Sequence, residues 1–462
     1  MRIRTLILAA LLMVSCGSAA PPAVVPGDPP KHVFLIVVDT LRADHLGFQG
    51  YSRDTSPFLD RLARDSAVFE QAYSASSNTL ESVFAILGSV SPVSGDLYRE
   101  GVPAGLVSLQ GAFAGEGFKT LAVIGNPWLK YHERFFAEGF GYYHFVNQER
   151  GEAWGVNTTL DTTETVLESL DTRFDPAGRN FFYIHYLDPH DVYAAPEDFG
   201  FHRGSTPDPR PLAHVLSGEN DVHEMQQADP ASTARPIPAP GAAESVEFLE
   251  AAYDSEIRFV DGQLERVYEK LEALGVLDQS LILITSDHGE EFLEHGLLKH
   301  GFHLYEETLR VPWLLHGPAH VRPGRAEHPV SGIDVAPTLL DLAGVDVPST
   351  MLGRNVLVDS AIAPVFFSSH FLNQDLRGMR SGRFKVIEDR RASTWELYDL
   401  VADPGELAAL DLATHPAWPE VKSEYERTMA LYSEPPGEGE RLEAPVMDDE
   451  TREQLKSLGY VN

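Results

Sequence analysis

The chain has 462 residues, with 36 Lys and Arg against 69 Asp and Glu and a formal charge of -33. This length can build one large α/β domain with a smaller companion, or two ordinary domains. The carboxylate excess argues against a nucleic-acid partner, whose phosphates would be repelled over most of the surface.

The N-terminus carries Arg2 and Arg4, an apolar run at 6–14, and then Ser15-Cys16-Gly17-Ser18. A charged start, an apolar stretch too short to span a bilayer and a small-residue processing site read as an export signal. Cys16 is the only cysteine. Its position after Met13-Val14-Ser15 resembles a bacterial lipobox, which implies lipidation of Cys16 and anchoring at the outer membrane or the periplasmic face. Ordinary cleavage near Ala19-Ala20 is the alternative. Residues 17–30, rich in small residues and proline, are expected to be a flexible tether. With one cysteine no intrachain disulfide can form, so stability must come from packing.

The apolar run VFLIVV at 33–38 closes on Asp39. Thr55-Ser56-Pro57 then supplies an N-cap and a first-turn proline for a helix through Phe58, Leu59, Leu62 and Ala63. Residues 118–125 and 181–187 read as two further strands, the second ending in Asp188-Pro189-His190. Between about 201 and 243 the pattern collapses into polar residues and seven prolines, which predicts a surface insertion or lid rather than core. Tyr253, Ile257, Val260, Leu264, Val267, Leu271 and Leu274 then fall on one face of a long helix that Gly275 stops. A second apolar run, LILITS at 281–286, closes on Asp287-His288-Gly289-Glu290. From about 360 onward, short strands at 365–369, 376–380, 383–388 and 395–400 predict a small antiparallel sheet.

Two apolar strands that each run into an acidic residue are the informative feature. Buried parallel strands read as continuous apolar runs, and open α/β sheets bind ligands beyond the carboxyl ends of such strands. Asp39, Asp287 and His288 are therefore expected to converge and to hold a divalent metal ion. A single acidic strand end is more often a helix cap or a solvated turn; the pairing is what points to a metal.

The motifs VVDTLRADHLG at 37–47, Asp188-Pro189-His190, SDHGE at 286–290, His300-Gly301 with LYEE at 304–307 and RVP at 310–312 resemble the sulfatase family of the alkaline phosphatase superfamily. DVAPTLL at 334–340, WELYDL at 395–400, DPGE at 403–406 and the tail at 450–460 extend the resemblance along nearly all of the chain after residue 31. The resemblance implies an α/β fold with a large central, mostly parallel sheet flanked by helices, spanning 31–359, and a small C-terminal antiparallel-sheet subdomain at 360–462. It implies a metal-dependent hydrolase of sulfate or phosphate esters. Asp39, Asp287 and His288 would hold one divalent ion, calcium first, with zinc, magnesium or manganese also compatible. His190 and His300 would contact the ester oxygens or the leaving group, with Asn126 also at the substrate. That substrate would be an anionic ester of a glycan, lipid or small molecule.

The nucleophile segment departs from the family pattern. Sulfatases carry a cysteine or serine, followed by x-Pro-x-Arg, that is oxidised to formylglycine; here Thr79 holds that position, Glu81 replaces the proline and Val83 replaces the basic residue. Thr40 stands where a second acidic ligand is usual. Three readings remain open from sequence. Thr79 is an alkoxide nucleophile suited to phosphorus chemistry; or a sulfate ester is cleaved by unusual chemistry; or a catalytically inactive sulfatase fold binds a glycan or lipid. A carboxylate at position 81 is hostile to an incoming anion unless it binds metal or is protonated.

Overall fold

Alternation along the first apolar run sets the architecture. Strand β1 (His32–Val38) is buried along its whole length and sends successive side chains to opposite faces. Val33, Leu35 and Val37 join one core with Val83 and Leu87 of helix α2 (Thr79–Gly88), and with residues of a later helix at Val335–Leu342. Phe34, Ile36 and Val38 join a second core with helices α1 (Pro57–Leu62), α3 (Thr158–Thr172) and α4 (Ala242–Ala273). Each fully buried Leu, Ile or Phe contributes roughly 1.5–3 kcal/mol. A strand apolar on both faces is stable only between two helical layers.

The computed structural model describes residues 21–94, 97, 102–103, 105–146, 158–191, 193, 195, 200–201, 242–371, 374–432 and 441–442. Cys16 and the export signal, nearly all of the proline-rich insertion and the tail at 450–460 lie outside the described residues. Within the segment expected to be a tether, Ala23–Val24 pairs antiparallel with Val321–Arg322.

Among the described residues the central sheet has eight strands. In chain order they are β1, β2 (Ala67–Phe69), β3 (Lys119–Ile124), β4 (Tyr142–Phe145), β5 (Asn180–Tyr186), β6 (Ser280–Thr285), β7 (Trp313–His316) and β8 (Gly324–Ala326). Their spatial order is β8-β2-β7-β6-β1-β5-β3-β4, and all neighbours are parallel except β7, which runs against both β2 and β6. Val37 of β1 lies opposite His185 of β5 and Thr285 of β6. That register delivers the residues following β1 and β6 to the same sheet edge.

The cap of α1 differs from the sequence expectation. Ser56 precedes Pro57, but its side chain makes no cap hydrogen bond; it is drawn away to accept from Gly47 N and donate to Asp60. The cap comes instead from α4, where Asp261 accepts from Phe58 N at 2.8 Å and Leu59 N at 2.9 Å. Its two oxygens satisfy two of the first-turn amides, where a single hydroxyl would satisfy one.

Strands β9 (Val365–Ser369), β10 (Leu376–Ser381), β11 (Phe384–Asp389) and β12 (Thr394–Asp399) form the expected antiparallel sheet. One face packs Phe366, Met379, Val386 and Leu397 with a helix at Trp418–Tyr432 and with Ala75, Ala85 and Ile333 of the main body. The other packs Phe367, Ile387 and Tyr398 on Tyr73, Leu304 and Leu309. Buried Lys385 adds ion pairs to Glu306 at 3.1 Å and Glu406 at 2.9 Å. The small sheet thus shares its core with the large one.

Candidate active site

The loops after β1 and β6 are stitched together by their own backbones. Thr40 N donates to Asp287 Oδ1 at 3.3 Å and Leu41 N to Ser286 Oγ at 2.9 Å. From α4, the Tyr253 hydroxyl donates to Thr40 O and accepts from Arg42 N. Asp39, Asp287 and His288 are all fully buried, and one ligand atom from each lies within 4.8 Å of the others. The three residues singled out by sequence are brought together.

Thr79 is the first residue of α2, whose N-cap Asn78 accepts from Glu81 N. Its hydroxyl lies 3.1 Å from His288 Nε2. Because His288 Nδ1 is 2.9 Å from Gly289 O, which can only accept, Nδ1 carries a proton, and it is Nε2 that faces Thr79. The positive end of the helix dipole at Thr79 favours negative charge there. Val83, one turn on, is buried in the core and carries no charge to the site.

His190 and His300 flank this group, with ring centroids 5.0 Å apart and His300 4.3 Å from the His288 ring. Burial lowers the basicity of His190, but the bond to Asp191 and the charges of Asp191, Asp39 and Glu290 override it and raise its pKa to about 10. Lys299 in turn pairs with Asp191 at 3.2 Å. His300 is held neutral by burial and by His288, His190 and Lys299, and its Nδ1 lies 3.0 Å from Glu290 Oε1. Asn126, expected at the substrate, donates to Asp39 Oδ2 and accepts from Trp128 N.

The donor set fits a divalent ion. Asp39 Oδ1 and Asp287 Oδ2 are buried without a hydrogen-bond partner among the described residues. Burial works against the charge of Asp39, yet the bond from His185 and the nearby imidazoles hold its pKa below the usual range; burial and the charge of Asp39 push Asp287 up. Two crowded carboxylates with oxygens left over are the arrangement a cation relieves. The carboxylate oxygens suit calcium or magnesium, and the imidazole also admits zinc or manganese. Glu291, His295 and Glu307 form a second cluster of suitable residue types, but their atoms are committed. His295 bonds Glu307 and Glu406 O, and Glu291 bonds Leu297 N and His303.

Sequence reasoning did not single out His185, Asp191 or Lys299 for the site. His185 Nε2 lies 3.2 Å from Asp39 Oδ2, with Nδ1 bonded to the Tyr183 hydroxyl, so it orients the first carboxylate. The one signal for it was an imidazole inside an otherwise apolar strand. Glu81 is turned into a cage of donors from Ser76, Asn78 and His370. His45, by contrast, is spent on Asp254 of α4 at 2.7 Å.

Comparison with known proteins gives a consistent result. The family model described as Sulfatase matches residues 31–345, and that described as N-sulphoglucosamine sulphohydrolase, C-terminal, matches 293–432. The chain is 25% identical over 441 residues to an arylsulfatase of Clostridium perfringens, covering 82% of this chain and 90% of that one. Seven further matches to curated sulfatases span between 9% and 35% of those proteins. Among solved structures, one in complex with its substrate D-glucosamine-2-N,6-O-disulfate superposes with a TM-score of 0.68 at 19% identity, covering 89% of this chain and 100% of that one. The phosphonate monoester hydrolase of Agrobacterium radiobacter gives 0.66 at 19% identity, covering 87% and 95%. These two share the fold.

Proposed function

The chain belongs to the sulfatase family of ester hydrolases, and we propose that it cleaves a sulfate or phosphate ester with Thr79 as nucleophile and a divalent ion held by Asp39, Asp287 and His288. The observation that carries this reading is the Thr79 hydroxyl at 3.1 Å from His288 Nε2, beside two carboxylate oxygens that have no hydrogen-bond partner among the described residues. When bound, the ion would supply positive charge to tetrahedral ester oxygens and lower the pKa of a nearby hydroxyl.

The chain's own residues supply the rest. Thr79 gives up its proton to solvent, and Oγ1 then bonds to phosphorus or sulfur as the bond from that atom to the leaving alcohol oxygen breaks. His190, kept protonated by Asp191, donates a proton to the departing oxygen. Water then hydrolyses the Thr79 ester. Glu290 fixes the His300 ring through Nδ1 and so holds it beside His288 and His190, where the ester oxygens would sit. The unmodified hydroxyl favours phosphorus over sulfur.

An anionic ester of a glycan, lipid or small molecule fits this site. The export signal and Cys16 support action at the cell envelope through a lipid anchor; among the described residues no helix is long and apolar enough to cross a membrane. The test is turnover of aryl sulfate and aryl phosphate probes by purified protein loaded in turn with calcium, magnesium, manganese and zinc. Mass spectrometry of protein quenched during turnover should find a phosphoryl or sulfuryl adduct on Thr79. No turnover with any ion would reject the reading.

A further inference from the structure

We propose that His370, delivered by the C-terminal sheet, is a positioning residue that holds the Glu81 carboxylate off the anion site at the start of α2. The inference rests on the anion site proposed above.

Glu81 is two residues past Thr79 in the first turn of α2 and is fully buried. Left unheld, a carboxylate there would repel an anionic ester and compete for the donors that should meet it. It is instead tied on both oxygens. Oε2 accepts from Ser76 Oγ at 2.7 Å and Asn78 Nδ2 at 2.8 Å, and Oε1 accepts from His370 Nδ1 at 2.7 Å. Ser76 and Asn78 belong to the same local turn as Glu81. His370 does not: it follows β9 and is 289 residues away in sequence.

The same segment also reaches the other side of the site. Ser369 Oγ donates to Gly301 O at 2.8 Å, next to His300. Gly301 has φ +90, and a Cβ there would come within 2.6 Å of the Phe371 ring. Residues 369–371 thus lie against both the first turn of α2 and the turn that carries His300. One short stretch of the C-terminal sheet sets Thr79 and His300 in register. This gives that sheet a role in the site although it contributes no nucleophile or metal ligand.

The test compares H370A, H370N, E81Q and the double variant E81Q/H370A in the full-length protein. The readouts are the affinity for inorganic sulfate and phosphate by calorimetry with metal present, KM and kcat for an ester probe, and Tm. Removing His370 strands a buried carboxylate oxygen, so H370A should weaken anion binding and raise KM by about tenfold with a smaller fall in kcat. H370N, whose amide NH2 can replace Nδ1 as donor, should recover most of that loss. E81Q/H370A should also recover it, because no stranded charge remains.

A double variant no better than H370A, or anion affinity that falls only in step with Tm, would overturn the proposal. Should H370A fail to fold, the double variant decides: folding with near wild-type anion affinity supports the proposal, and failure to fold or weakened affinity overturns it. Wild type that binds neither anion and turns over neither ester overturns the anion site and this inference together. Wild type that binds and turns over, while H370A matches it, overturns this inference alone.

Discussion

Thr79 Oγ1 and His288 Nε2 face each other at 3.1 Å, and the opposite nitrogen of the same ring is committed to Gly289 O. In its neutral form His288 therefore offers one lone pair, on Nε2, which can accept the threonine proton or bind a cation but not both. The geometry links the charge state of the hydroxyl to occupancy of the metal site.

Thr79→Val removes the hydroxyl and keeps the shape. Turnover of ester probes should fall by about a thousandfold or more, while metal affinity stays equal or rises slightly because His288 loses a competing donor. Thr79→Ser should retain measurable activity. Steady-state kinetics together with a metal titration of each variant separates this from misfolding; full activity in Thr79→Val would rule the nucleophile out.

Asp287→Asn should act in opposite directions on the two forms of the protein. Without metal, the variant escapes repulsion from Asp39 and should melt at or above the wild-type temperature. With metal, wild type should be stabilised and the variant much less so, because affinity falls by about 10- to 100-fold and binding energy is linked to folding. Calorimetric melts with and without a chelator read both. A variant that keeps the full metal-induced shift would contradict the ligand assignment.

The strand ends at Asp39 and Asp287 were legible because a strand buried on both faces has no polar residues to blur its limits. The stripe from Tyr253 to Leu271 was legible because helix period and burial coincide. What was hidden depends on register between distant segments. His185 meets Asp39 across 146 residues, Asp261 caps a helix 203 residues away, and His370 meets Glu81 across 289. Periodicity carries no information on such pairs. The hazard posed by Glu81 could be read from its residue type, but the donors that answer it could not.

Gly289→Ala tests whether the loop bearing the metal ligands can shift. A Cβ at this position would sit 2.0 Å from Glu307 O, a backbone atom that cannot rotate away. Gly289 N also donates to Thr308 O, which locks the loop in place. Destabilisation of about 3 kcal/mol is expected, with metal affinity reduced because Asp287 and His288 move with the loop. Denaturant unfolding with a parallel metal titration would measure both; a variant with wild-type stability would show the loop to be softer than this packing implies.

Cys16→Ala tests the anchor. If the thiol is lipidated, wild type should fractionate with membranes and the variant should be recovered in soluble, exported fractions. Metabolic labelling with a fatty acid should mark wild type alone. A variant that stays membrane-bound and unlabelled would require another mode of attachment.

Asp261 predicts how stability varies with pH. Burial raises its pKa from 3.8 to about 7, against the lowering effect of the amides of Leu59 and Phe58 and the charge of Arg258. The folded state therefore holds this proton over a range where the unfolded chain has lost it. Between those two values the unfolded state binds fewer protons, so stability falls as pH rises. The contribution is fully present below about pH 4 and is lost as pH passes through about 7, on the order of 4 kcal/mol for a shift of this size. Asp261→Asn cannot ionise, and its unfolding free energy should vary less over this window, so that its deficit against wild type narrows or reverses as pH rises. Chelated protein unfolded in urea at intervals from pH 5 to 8 would measure the two slopes without interference from the metal site. Equal slopes would show that Asp261 is already ionised in the folded protein at pH 5, its two amide bonds outweighing its burial.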